Sequence, residues 1–285
     1  MTVLFDGIAS GMLLFLISVG LSVTLGLMNF VNLAHGAFAM VGGYVCVTLF
    51  SRLGVPFLAA LPLAAGATAL VGVVLERTLY RRLYGATHLD QVLFSISLVF
   101  MSMSAAQYFF GAQQQPLQLP EFLRGQINLP GLDMGVYRLF LIGVSLAIAV
   151  GLQRMVRGTR FGAQLRASVD NPRAARGVGI NVERIFTLTF ALGTALAGLG
   201  GAMGVEMLGL DPGFPVKYVV YFLIVVAVGG SGSIAGSLVA SLILGVVDVA
   251  GKYYIPELGS FLIYAVMVVM LVFRPQGLFG RLTAR

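Results

Sequence analysis

The chain contains few charged residues. Asp, Glu, Lys and Arg make up 10% of its 285 residues, whereas hydrophobic residues make up 58%. Soluble globular domains carry about 25% charged residues, so this composition indicates an integral membrane protein with almost no room for a water-soluble domain. The single cysteine, Cys46, excludes an intramolecular disulfide and a cysteine-based metal site. The first ten residues contain Asp6 but no Lys or Arg, so we expect no cleaved signal peptide.

The sequence also lacks the motifs of the common hydrolases and nucleotide-binding proteins. Neither HExxH nor GxSxG occurs, and His35 and His88 lie on different segments without an acid at metal-ligand spacing. The glycine-rich stretch GGSGSIAG (229–236) has no lysine of the phosphate-binding loop. We therefore expect no enzymatic activity, no ATP binding by this chain alone, no cofactor and no metal site.

What the chain does contain is a series of nine apolar segments, several of them near the roughly 20 residues that cross a bilayer. They predict an all-α polytopic bundle that forms one transmembrane domain over residues 1–285. Eight or ten crossings are alternatives, because 29–36 and 229–236 can instead be re-entrant breaks. The nine segments are 7–28, 33–50, 55–76, 91–110, 136–153, 185–207, 216–230, 234–250 and 258–273.

Arginine is concentrated between the fifth and sixth segments. Residues 154–184 hold seven arginines against two acids, Asp170 and Glu183. Thirteen of the 18 basic residues fall in this stretch and in two others, 77–82 and 274–285. Basic residues are retained in short cytoplasmic loops. The pattern predicts an external N-terminus and a cytoplasmic C-terminus, and the net charge of +7 does not indicate nucleic-acid binding.

The middle of this basic stretch is predicted to form a short helix. Asn171 is a favourable N-cap, Pro172 suits the first helical position, and the following Arg-Ala-Ala-Arg favours a helix. Gly177 and Gly179 then provide ways to end it. A short helix that projects from a membrane core into the cytoplasm is typical of a docking element for a soluble partner.

Polar residues at membrane depth are candidates for a translocation path, because such groups are costly there. Asn29, Asn32 and His35 are spaced i, i+3 and i+6, and would share one face if the stretch were helical. Helix–helix hydrogen bonding or a solvated turn is the alternative. Interrupted segments in both halves of a transporter indicate a central path. The candidates here are 28–36 and 229–237, the second of which contains Ser231 and Ser233.

Two acids are candidates for an outer vestibule. Asp248 precedes Lys252 by four residues, the favourable order for a helical ion pair. Glu206 has no such neighbour in sequence, so it is predicted either to face a vestibule or to dock an external partner. The 37 glycines are expected mainly to allow close helix packing, and the dense runs at 198–204 and 229–236 suggest kinks or relative movement of helices.

An ordered set of motifs resembles the LivH type of branched-chain amino-acid ABC importer permease over nearly the whole chain. The motifs are MNFVNLAHGAFAMVGGY (28–44), RASVDNPRAARGVGINVERI (166–185), LAGLGGAMG (196–204), AVGGSGSIAGSLVASLILG (227–245) and LVFRPQGLFG (271–280).

The resemblance implies the fold of the type II ABC importers, in the bacterial inner membrane. It also implies partners: a LivM-type second permease, two cytoplasmic ATPase subunits and a periplasmic substrate-binding protein. The basic stretch then resembles the "EAA…G" loop that docks the ATPase. Arg173 replaces the usual Glu, and the downstream Leu-Pro is missing. The implied coupling residues are Arg173, Ala174, Ala175, Arg176 and Gly179.

Relatives of this type carry branched-chain amino acids, but others carry urea, short amides or aromatic acids. The sequence does not choose among these solutes, because selection lies largely in the binding protein. From other classes, a stand-alone channel or secondary transporter would require several buried ionisable residues, and Glu206 and Asp248 are the two candidates identified. A membrane enzyme would require a reactive group.

Overall fold

The computed structural model describes residues 1–28, 30, 32–129 and 132–279. Within them the chain forms eleven α-helices and one two-stranded hairpin, which confirms the predicted all-α polytopic membrane architecture. Six of these helices are long and apolar enough to cross a membrane. The elements are α1 (Thr2–Met28), α2 (His35–Val47), α3 (Phe57–Thr78), α4 (His88–Phe110), β1 (Gln126–Leu129), β2 (Leu132–Gly135), α5 (Val136–Gly158), α6 (Arg160–Asp170), α7 (Pro172–Gly177), α8 (Val182–Leu208), α9 (Phe214–Gly229), α10 (Ile234–Tyr254) and α11 (Gly259–Phe273).

Each of the nine predicted apolar segments corresponds to one of these helices. The bundle they form has two distinct ends. At the end that we call the basic end, Arg81 forms an ion pair with Glu183, and Arg157 and Arg166 line one cavity. At the opposite end, which we call the distal end, Arg138 at the start of α5 pairs with Asp6 at the start of α1. The long helices run between these ends, so that the basic clusters lie together.

Two of the shorter helices begin inside the bundle. The Nε2 atom of His35, the first residue of α2, lies 2.7 Å from the carbonyl oxygen of Ile17, midway along α1. A Cβ added at Gly36 would lie 3.0 Å from the Cα of Pro215 in the first turn of α9. The N-termini of α2 and α9 therefore meet near the middle, and from there α2 runs to the distal end and α9 to the basic end.

This arrangement identifies the two breaks in the helical core. The first lies between α1 and α2, as predicted. The second is 209–213, between α8 and α9, which the sequence analysis did not assign as a break. The stretch 229–236 is instead a turn at the basic end, where the Gly232 amide donates to the carbonyl of Ser22 over 3.1 Å. The structure thus favours nine segments over a re-entrant break at 229–236, and glycine density here marks close contact.

The glycine run 198–204 lies within the unbroken helix α8. A Cβ at Gly198 would overlap Thr68 of α3, and one at Gly201 would overlap the backbone of Ala39 in α2. The absence of a side chain thus lets α8 approach two helices at once. At this run the structure supports the close-packing interpretation over a kink.

The polar interval 111–135 adds a small structure that the sequence did not predict. Strands β1 and β2 pair antiparallel, with Ile127 opposite Met134. Before them, the amide of Gln115 donates to the carbonyl of Leu210 over 2.8 Å. This interval therefore covers the distal end of the bundle near the second break.

Candidate functional site

A layer of two short helices forms the outer surface of the basic end. Residues 160–170, for which no helix was predicted, form α6. Its N-cap is Thr159, whose Oγ1 atom accepts a hydrogen bond from the Gly162 amide over 3.2 Å. Leu165 is buried while Gln164 is exposed. α6 is therefore amphipathic and lies with one face against the bundle, where it contacts α5 and α8.

The short helix predicted in the basic stretch is confirmed as α7. The Oδ1 atom of Asn171 accepts a hydrogen bond from the Ala174 amide over 3.0 Å, and Pro172 occupies the first turn. The helix ends at Gly177, and Gly179 follows with a φ of +86°, a conformation that favours glycine. The Ile180 amide then donates to the Ala175 carbonyl over 3.0 Å. This bond fixes α7 to the chain that enters α8.

The two faces of α7 differ. Ala175 is 3% exposed, because α7 packs on α6 and on the beginning of α8. Arg173, Ala174 and Arg176 are exposed, and Val178 just after the helix is 78% exposed. The surface available to a partner therefore consists of these four residues rather than Ala175. The analysis of the sequence missed Val178, since an isolated valine in a loop carries no pattern that predicts its exposure.

The candidates for a translocation path near the first break are held by neighbouring groups. The Oδ1 atom of Asn32 accepts hydrogen bonds from the Ala34 amide (3.1 Å) and from the Tyr80 hydroxyl (3.0 Å). His35 is 1% exposed and bonded to α1. Because α2 begins only at His35, the helical face proposed for the three residues does not form at Asn32. Asn29 lies outside the described residues.

Ser231 and Ser233 lie apart from these residues, at the basic end. Both line a cavity of about 260 Å³ together with Arg157 and Arg166. The Oγ atom of Ser233 accepts a hydrogen bond from the Gly236 amide over 3.0 Å and thereby caps α10. The structure therefore does not bring these serines together with Asn32 and His35 at mid-depth.

The two acids assigned to an outer vestibule lie at the distal end on different helices. Asp248 is buried, and its Oδ2 atom accepts a hydrogen bond from the Lys252 ammonium over 2.6 Å, which confirms the predicted ion pair. Glu206 is exposed in the last part of α8. The predicted helical pairing thus holds for Asp248, and Glu206 is accessible at the surface of the chain.

One buried acid was missed by the sequence analysis. Glu76, in the last turn of α3, is 1% exposed and accepts hydrogen bonds from the hydroxyls of Tyr84 and Thr187, each over 2.8 Å. Glu76 directly precedes Arg77, a position typical of the end of a membrane segment. The one indication of its burial was that the predicted apolar segment 55–76 still includes it.

Comparison with known proteins relates the whole bundle to one kind of transport protein. Residues 3–271 match the family model described as branched-chain amino acid transport system / permease component. The chain is 26% identical to the high-affinity branched-chain amino acid transport system permease protein BraD of Pseudomonas aeruginosa, over 98% of this chain and 95% of that protein. It is 28% identical to the probable branched-chain amino acid transport permease protein LivH of Methanocaldococcus jannaschii, over 94% and 89% of the two chains.

A more distant relative bears a different subunit name. The chain is 24% identical to the high-affinity branched-chain amino acid transport system permease protein LivM of Escherichia coli K12, over 94% of this chain and 68% of that protein. No solved structure matches the chain.

Proposed function

The chain belongs to the family of branched-chain amino acid transport system permease components, and we propose that it is the transmembrane subunit of a binding-protein-dependent ABC importer. Its solute is a branched-chain or other small, mostly apolar amino acid. The observation that carries this proposal is the family match over residues 3–271, in a chain that also presents a capped helix at its basic end. The chain forms a single permease domain.

The basic end faces the cytoplasm of a cell whose inner membrane holds the protein. The ends of α5 and α11 and the whole of α6 and α7 lie there, and arginines in short loops are retained on that side. The N-terminus of α1 then lies outside, with Asp6 and the distal hairpin. The binding protein delivers its solute to this distal end, near Glu206 and Asp248.

The ATPase subunits dock on the outward face of α7. Ala174 allows close approach, and Val178 supplies an apolar anchor that is exposed in the isolated chain. Arg173 and Arg176 flank this surface and favour an acidic groove on the ATPase. Gly179 ends the docking segment, while Ala175 contributes by holding α7 on its own chain.

The chain supplies neither nucleotide binding nor hydrolysis, and it requires no cofactor of its own. Two ATPase subunits provide the energy, and a LivM-type permease completes the transmembrane assembly. When the ATPase pair closes, it moves α7 as a rigid unit and switches the permease between inward-open and outward-open states. The path passes the central contact of α2 with α9, beside Asn32 and His35, and leaves near Ser231 and Ser233.

Uptake by a strain that lacks the gene tests this proposal. Labelled leucine, labelled urea and a labelled aromatic acid are offered separately, and the gene is then restored on a plasmid. We expect loss of leucine uptake alone, with recovery on complementation. Loss of urea or aromatic-acid uptake instead would preserve the importer and replace its solute. Unchanged uptake of leucine, urea and the aromatic acid would contradict the proposed solute class.

A further inference from the structure

The buried carboxylate of Glu76 joins parts of the chain that are distant in sequence. Its Oε2 atom accepts a hydrogen bond from the Oγ1 of Thr187 in α8, 111 residues away, over 2.8 Å. The same hydroxyl also lies 3.0 Å from the carbonyl oxygen of Glu183, one turn back in α8, so it shares its proton between the two acceptors. The Oε1 atom of Glu76 accepts a hydrogen bond from the Tyr84 hydroxyl over 2.8 Å. Both donors are neutral hydroxyls. Because the carboxylate is 1% exposed, these hydrogen bonds replace the ones that water would otherwise make to it.

Tyr84 lies in the connection between α3 and α4, whose 3₁₀ turn is Tyr80–Leu83. Burial, followed by the hydrogen bond to Glu76 and its charge, raises the pKa of Tyr84 well above its usual value. The phenol therefore remains a donor. In the same turn Arg81 forms an ion pair with Glu183 in the first turn of α8. The turn is thus tied to α8 directly through Arg81 and indirectly through Glu76, which is bonded to Thr187.

The same turn also contacts the segment that leads into α2. Tyr80 is fully buried, and its hydroxyl donates to the Oδ1 of Asn32 over 3.0 Å. Its ring packs edge-on against Phe30 with a centroid separation of 5.2 Å. Asn32 in turn accepts the Ala34 amide directly before α2 begins at His35. The turn Tyr80–Tyr84 is therefore bonded to α8 on one side and to the entry of α2 on the other.

The α8 side of this arrangement follows closely on α7. The Ile180 amide is bonded to Ala175, and Asn181 caps α8 by accepting the Arg184 amide over 3.0 Å. Movement of α7 therefore displaces the first turns of α8. The bond between Thr187 and Glu76 resists separation, because a buried acid left with an unmade hydrogen bond carries a desolvation cost.

We propose that Glu76, Thr187, Tyr84 and Tyr80 form a relay that transmits movement of α7 to the N-terminus of α2, where the chain meets α9. This inference rests on the proposed function, since it assigns positioning residues to the coupling of ATP hydrolysis to transport. These residues determine how far the start of α2 moves when the start of α8 moves.

The relay is tested with the full transporter in proteoliposomes, using labelled leucine as the probe and measuring both uptake and ATP hydrolysis. Thr187→Val removes the hydroxyl with little change in shape. We expect the leucine transported per ATP hydrolysed to fall about fivefold, the lower range of typical coupling between sites, while ATP hydrolysis persists. Thr187→Ser retains the hydroxyl and should restore the ratio.

Thr189→Val is the matched control, two residues further along α8. The Thr189 side chain is fully buried, and its hydroxyl donates to the carbonyl of Ile185 one turn back over 2.8 Å, as the Thr187 hydroxyl can to Glu183, but without the bond to Glu76. This variant should retain the leucine-to-ATP ratio of the unmodified transporter. Tyr80→Phe provides a second test, because it removes the bond to Asn32 and leaves the ring in place. It should lower the ratio as Thr187→Val does.

Two results would overturn the relay: a normal ratio in both Thr187→Val and Tyr80→Phe, or a parallel fall of uptake and hydrolysis that leaves the ratio unchanged. If Thr187→Val does not assemble, Tyr80→Phe alone decides between these outcomes. Absence of ATP-driven leucine uptake by the unmodified transporter would instead contradict the proposed function and its solute. The two failures are therefore distinguishable.

Discussion

Glu76 at the basic end and the paired acids at the distal end differ in what holds them. At the basic end, Glu76 is buried and bonded to neutral hydroxyls, one of them on Thr187, 111 residues away. At the distal end, two acids pair with basic side chains: Asp6 with Arg138, 132 residues apart, and Asp248 with Lys252, four apart. The Arg138 and Lys252 side chains are partly exposed, at 38% and 49%.

This difference indicates a division of mechanical roles. Buried, long-range hydrogen bonds hold separate helices in fixed relation, because leaving one partner unbonded costs free energy. Ion pairs with partly exposed side chains contribute little to stability. The basic end is therefore suited to the ATPase docking that we propose, whereas breaking a distal ion pair should have a small energetic consequence.

The largest effect should follow loss of the buried carboxylate. Glu76→Ala removes the acceptor of the Tyr84 hydroxyl and one of the two acceptors of the Thr187 hydroxyl, and should lower the free energy of unfolding by about 3 kcal/mol. Asp6→Ala, which breaks the partly exposed pair with Arg138 at the distal end, should cost less than about 1 kcal/mol. Denaturant unfolding of the purified proteins measures both. Equal costs would remove the contrast between the ends.

Removal of the exposed anchor should have the next largest effect. Val178→Asp replaces a side chain of the size that contributes about 1.5–3 kcal/mol when buried, so ATPase affinity should fall about tenfold or more. Leu53→Asp makes a similar change at an exposed distal residue, which is 67% exposed, and should leave affinity unchanged. Titration of ATPase subunits onto the solubilised permease measures this affinity for both variants. Equal affinity in both variants would exclude Val178 from the docking surface.

The cap of α7 should contribute less. Asn171→Ala removes the acceptor for the Ala174 amide and should destabilise the helix by about 1 kcal/mol. Hydrogen exchange across α7 should accelerate about fivefold, while Asn171→Asp, which keeps an acceptor, should remain close to the original protein. Unchanged exchange in Asn171→Ala would mean that packing on α6 alone maintains the helix.

The smallest effect is expected beside the second break. Lys217→Met breaks the pair with Asp211, whose carboxylate retains the Gly213 amide as a donor at 2.7 Å. The free energy of unfolding should change by no more than about 0.5 kcal/mol, with uptake unaffected. A loss comparable with that of Glu76→Ala would show that this partly exposed ion pair is also structural.

Local patterns in the sequence predicted local features well. Asn171 and Pro172 determine the start of α7 through their immediate neighbours, and Asp248 and Lys252 meet because they lie one helical turn apart. The nine apolar segments each contain a helix, since apolar length is itself the requirement for crossing a bilayer.

Features that depend on tertiary contacts could not be predicted in the same way. No local pattern relates Glu76 to Thr187, and the burial of Ala175 follows from the packing of α7 on α6 and α8. The start of α2 at mid-depth depends on the contact of His35 with Ile17. The second break, 209–213, resembled an ordinary turn because its position inside the bundle is set by Pro215 against Gly36.

The sidedness of energy supply tests the central claim most directly. The permease, its LivM-type partner and the ATPase subunits are reconstituted in vesicles, with ATP trapped inside and the binding protein with labelled leucine outside. The account predicts accumulation only in the fraction of transporters whose basic end faces the trapped ATP, and none without ATPase subunits. Equal leucine flux through the permease pair alone, without ATP, would contradict it and indicate a channel.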